Sequence, residues 1–121
     1  MIARALTIGF AIWAGATILI RLIGERMLRP GVTPALVLYL ASFVLMSFLV
    51  PWLCRVIGAT DEARFRAATL LMLPTLFFDA FSCVFFATVF PNLDPALAGV
   101  FGGWMLICCA GAAAGVWLTR R

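Results

Sequence analysis

A chain of 121 residues that is 65% hydrophobic and 12% charged stands apart from soluble domains, which are about half apolar and about a quarter charged. A soluble protein this small has too much surface for its volume to leave so few polar residues on it, so the composition excludes a soluble domain and points to lipid as the solvent. The formal charge is +4 and all nine basic residues are Arg. They flank apolar runs and form no stripe with interleaved aromatics, which excludes a nucleic-acid partner and leaves the charge as a topology signal.

The chain contains no His. That removes a His-ligated haem, the usual His-based zinc site and the commonest general base. The four Cys, at 54, 83, 108 and 109, lie in or beside apolar runs, so they do not read as the disulfide framework of a secreted scaffold. No nucleophile–base set, phosphate loop or cofactor motif is present, so neither an enzyme nor a cofactor is expected.

A membrane span needs about 20 apolar residues. The first such run is Ala5–Ile23. Its basic start and Ala14-Gly15-Ala16 outline a cleavable signal, but apolar residues continue through Ile18-Leu19-Ile20, as in a retained span. Arg21, Glu25 and Arg29 follow at i, i+4 and i+8 and share one face where this helix leaves the membrane. That face reads as a solvated helix end or as an outer vestibule. The second run is Pro34–Ile57, entered through Thr33 as N-cap with Pro34 at the first helical position.

The third run is Ala67–Phe90, with Thr60-Asp61-Glu62 supplying capping oxygens and negative charge at its start. Pro74 is expected to bend it. The fourth run is Pro95–Leu118, entered through Asp94-Pro95. Gly24, Gly31 and Gly58 are expected where the chain leaves helices. The fold class is all-α: residues 1–121 form a single polytopic domain of four transmembrane helices in an up-down bundle.

Arg4, Arg55, Arg64, Arg66, Arg120 and Arg121 fall on one side of this arrangement, and Arg21, Arg26 and Arg29 on the other. Positive-inside then places both termini and the middle loop in the cytoplasm. Lipid provides no hydrophobic drive for helix association, so small residues mark the faces where backbones approach. Gly99 with Gly103, and Gly111 with Gly115, form two GxxxG pairs in the fourth run. They serve packing within the bundle, with a homo-oligomer as the alternative.

Asp79 is out of place. Insertion scales assign an Asp at mid-span about 2.5–3.5 kcal/mol, so it should face the bundle or a cavity, find a partner, or remain protonated. Arg21 is the expected partner, at a depth that an Arg side chain can bridge. Thr75 and Ser82 are close to Asp79 in helical spacing and complete a candidate polar site. Cys108-Cys109 with Met105 invites a soft-metal reading. However, adjacent side chains on a helix diverge and chelate poorly, so no metal site is assigned.

The stretch from Leu73 to Trp104, LPTLFFDAFSCVFFATVFPNLDPALAGVFGGW, resembles a family of small bacterial four-span membrane proteins of unknown function. The carrying features are Leu-Pro, the intramembrane Asp79, the Phe-Pro-Asn-Leu hairpin and the Gly-rich start of the last helix. The resemblance implies a bacterial inner membrane and a four-helix architecture, and it assigns no activity. Size and span count also match the small multidrug-resistance transporters. Those carry a Glu in the first span, where this chain has Phe10-Ala11-Ile12-Trp13-Ala14-Gly15, so that likeness is architectural. The sequence therefore reads as a structural or accessory component that self-associates or joins a larger membrane complex, with the bilayer as its surrounding partner. The alternative is a small proton- or cation-coupled carrier using Asp79.

Overall fold

The computed structural model describes residues 2–118. Helix α1 spans Ile2–Met27, α2 Val32–Val56, α3 Arg64–Val84, α4 Phe86–Val89 and α5 Ala98–Leu118. One-turn 3-10 segments at Asp61–Ala63 and Pro95–Leu97 lead into α3 and α5. Four helical stretches are long and apolar enough to cross a membrane: Ile2–Met27, Val32–Val56, Asp61–Val84 and Pro95–Leu118. Arg120 and Arg121, counted above for orientation, lie outside the described residues.

Local chemistry sets the helix ends. The α2 C-terminus closes on Gly58, whose φ of 80° only glycine adopts without penalty. Its N–H donates to the Arg55 carbonyl, and that of Ala59 donates to the Cys54 carbonyl, each at 3.0 Å. This is the paired Schellman closure, which satisfies carbonyls left free at a helix end. Asp94 caps the entry to α5 as expected, with its Oδ1 accepting from the Ala96 N–H at 2.9 Å and Pro95 following it.

Four terminal expectations change. Thr60 precedes the 3-10 turn but makes no side-chain capping hydrogen bond, while Asp61 and Glu62 do place negative charge in that first turn. Thr33 is not the cap of α2: the helix begins at Val32 after Gly31, whose φ is 114°. Pro34 is still tolerated, because N–H groups in a first turn have no helical acceptor. Gly24 does not end α1 but lies buried inside it, close to Leu93. The third span is not one helix to Phe90. Phe85 breaks it with φ −103° and ψ 36°, and the following turn aims Phe86 and Phe90 inward. There they meet Phe101 with ring centroids at 5.6 and 5.1 Å.

The core falls into two clusters at opposite ends. One joins Ala5, Val50, Cys54, Ala67, Leu71 and Val116. The other joins Ile20, Leu28, Phe86, Phe90, Phe101 and Trp104. The start of α1, the α2–α3 connection and the end of α5 therefore share one end, which is the alternation of an up-down bundle. The neighbours are not sequential, however. α1 packs along α3 and α2 along α5, and α3 against α5 joins the two pairs.

Glycine makes the α2–α5 contact close. A Cβ at Gly111 would stand 2.6 Å from the Phe43 carbonyl oxygen, and one at Gly115 would overlap the Ser47 carbonyl. Gly103 faces the Tyr39 ring, whereas Gly99 faces open space. The second GxxxG pair and half of the first are thus used inside the bundle.

Candidate functional site

α1 and α2 pack on α3 and α5 rather than chiefly on each other. A cavity of about 290 Å³ lies among the four long helices. Two elements set its floor. From α3 come Thr75 and Asp79, and from α5 come Phe101, Trp104, Met105 and Cys108. The rim is supplied by α1 and α2: of the lining residues, Leu19 is 45% exposed and Leu45 61% exposed. Both leucines also reach the apolar outer surface of the bundle, so the cavity borders the seam between α1 and α2.

Asp79 is 6% exposed and lies about 22 Å along α3 from Arg64. Its Oδ1 accepts from the Trp13 indole N–H at 3.1 Å. Its Oδ2 is buried and has no hydrogen-bond partner. Trp13 is held in place by Phe78, with ring centroids at 4.6 Å and planes 29° apart. Across the cavity the Trp104 indole donates to the Ser42 hydroxyl at 2.7 Å. Both indoles thus have their N–H groups committed, as buried Trp usually does.

The residues proposed from sequence separate. Asp79 and Thr75 line the cavity. Ser82 is buried on α3 but returns its hydroxyl to the Phe78 carbonyl at 3.2 Å, the local bond open to any helical Ser. Arg21 is not the partner of Asp79. It is exposed, and among the described residues the ion pair is between Arg64 and Asp61, at 2.8 Å. Arg21, Glu25 and Arg29 do not line the cavity, so they form no vestibule to it. Glu25 instead accepts from the Asn92 side chain at 2.7 Å, and the same amide donates to the Ile20 carbonyl at 3.0 Å. Glu25, with the Ile20 carbonyl, therefore pins the α4–α5 connection to α1.

Trp13, Trp104 and Ser42 were not among the sequence candidates. The signal was present for the two Trp: an indole N–H is a donor only and needs an acceptor inside an apolar span. Among the described residues no group of His, Cys, Asp or Glu is placed to hold a metal, and all four cysteines are free. Met27, Met46, Met105 and Cys108 give the cavity soft, polarisable walls.

Residues 29–121 match a family of unknown function (DUF5367). The chain belongs to that family. No curated protein and no solved structure matches it. The match agrees with the resemblance read from Leu73–Trp104 in pointing to a family without an assigned activity. In this family member Asp79, Ser42 and Trp104 lie within the matched residues, while Trp13, on α1, precedes them.

Proposed function

We propose that this protein is a small carrier of the bacterial inner membrane, not an enzyme, and that Asp79 exchanges a proton for a cation during transport. The supporting observation is the second carboxyl oxygen of Asp79, buried without a hydrogen-bond partner beside a cavity. A group serving only to hold helices together would be expected to have its acceptors used, because a buried unsatisfied polar atom costs about 1–3 kcal/mol. Acids within spans that face a cavity are the usual groups of ion pathways.

Proteoliposomes carrying a pH gradient, reported by an entrapped dye, test this reading. Opposing gradients of sodium, potassium or tetramethylammonium are expected to collapse the pH gradient in at least one case. Asp79→Asn, which keeps the acceptor for Trp13, should slow that collapse about tenfold or more while the protein stays folded. Unaltered exchange in the variant would remove Asp79 from the mechanism.

A second reading is favoured by the Trp13–Asp79 bond itself, which ties α1 to α3. Asp79 would then be structural, in a component that self-associates or joins a larger complex. No exchange with any cation, together with lower thermal stability of Asp79→Asn in detergent, is the result expected from it.

A further inference from the structure

We propose that the ligand of this cavity is a lipophilic organic monocation that enters from the bilayer through the α1–α2 seam. The inference rests on Asp79 being an exchanging group and adds the chemical class of what it exchanges. Three observations lead to it. The cavity, about 290 Å³, is at the lower edge of the ~300–1,000 Å³ usual for small-molecule sites, so it is far larger than a bare ion needs. Its walls are aromatic and thioether-rich, including Trp13, Phe101, Trp104 and Met105. They offer few oxygen ligands to replace the hydration shell of sodium or potassium, but they suit an alkyl- or aryl-ammonium through cation–π contact. Asp79 is the one charged side chain among the described residues that line it, so the complementary charge is a single positive one.

The entry route follows from exposure. Leu19 and Leu45, at the rim, are exposed, whereas Asp79, Phe101 and Trp104, on the floor, are buried. A ligand dissolved in the acyl-chain region meets the mouth directly.

Loading exchanges one charge for another. The O–H bond of the protonated carboxyl breaks at Oδ2, the electron pair stays on oxygen, the proton leaves to water, and the organic cation pairs with the carboxylate. Oδ1 keeps the Trp13 N–H throughout. The other titratable groups on the elements around it are thiols: Cys83 lies one turn from Asp79 on α3, and Cys108 of α5, followed by Cys109, lines the same cavity. Facing it, α1 presents Trp13 and Thr17 and α2 presents Ser42, none of them charged.

The test uses benzyltrimethylammonium and its neutral isostere neopentylbenzene, titrated into the full chain in nanodiscs and followed by Trp fluorescence. The cation is expected to bind saturably, and Asp79→Asn should weaken it about tenfold or more without altering the neutral isostere. In weakly buffered solution the cation should also release a proton from the wild type, a readout that does not depend on the variant folding. Leu45→Trp, which narrows the mouth, should slow association several-fold. Equal binding of charged and neutral probes, or cation binding indifferent to Asp79→Asn, would overturn the proposal, and an unchanged association rate would overturn the lateral route. If benzyltrimethylammonium does not bind but sodium or potassium exchange still depends on Asp79, the substrate class fails and the carrier reading stands. If both fail, both fall.

Discussion

At Asp79 two acceptor oxygens meet one donor. The Trp13 indole serves Oδ1, and removing it would leave a buried carboxyl with neither oxygen bonded. Trp13→Phe keeps a ring to pack against Phe78 but loses the N–H. It should lower stability by about 0.5–2 kcal/mol, the range of interhelical side-chain bonds in membranes, read from unfolding in mixed detergent. Combined with Asp79→Asn, the loss should be non-additive, because the two side chains touch. Arg21→Gln with Asp79→Asn should instead add within about 0.5 kcal/mol, since Arg21 is exposed and bonds nothing at the site. Asp79 itself was legible from the sequence, because an acid inside an apolar run needs an explanation wherever the run folds. Its partner was not legible. Charge complementarity pointed to Arg21, but which residues of α1 face α3 depends on helix rotation, and no span pattern fixes that. An Arg can also reach water by extending its own side chain, whereas an indole inside the bundle cannot.

At the scale of helices, α2 and α5 approach backbone to backbone at Gly111 and Gly115. Pro51 lacks the N–H that would serve the Ser47 carbonyl one turn earlier. Gly115 of α5 lies against that same carbonyl, where its α-hydrogens can make a weak C–H···O contact. Gly115→Ala forces the helices apart and should cost about 1–3 kcal/mol, seen as a lower unfolding midpoint. Gly99→Ala, facing open space, should cost nothing measurable by the same assay. The four spans and the small-residue face were readable because length and residue size carry them. The break at Phe85 was not. Residues 77–90 contain no Pro or Gly to announce it, and the gain lies in distant rings, where Phe86 and Phe90 find Phe101. The cap of α2 was misplaced for a related reason. Thr33-Pro34 has the right chemistry for a helix start, but Gly31 two residues earlier already supplies the turn.

In the whole molecule, helices adjacent in sequence are not the ones that pack most closely. α1 leans on α3 and α2 on α5, and the seam left between α1 and α2 borders the cavity. Span count and the alternation of the loops between the two ends of the bundle follow from the sequence alone. The order of helices around the bundle does not, because short connections permit several. The asymmetry also bears on energetics. Moving one elementary charge across a membrane costs or yields about 2.3 kcal/mol per 100 mV, so the net charge of a loaded carrier decides whether voltage drives it. The cavity holds one carboxyl and no fixed counter-charge among its described lining residues. Protonated, or paired with a monocation, that site is electrically neutral. One-for-one exchange should therefore carry no net current. Recordings on a supported membrane should stay flat while dye-reported exchange proceeds, and the rate should ignore an imposed potassium–valinomycin potential. A current tracking that potential would mean that a second charge travels with the site. If Asp79 exchanges one proton for one cation as proposed, the driving force is the difference in their concentrations, and the membrane potential contributes nothing to it.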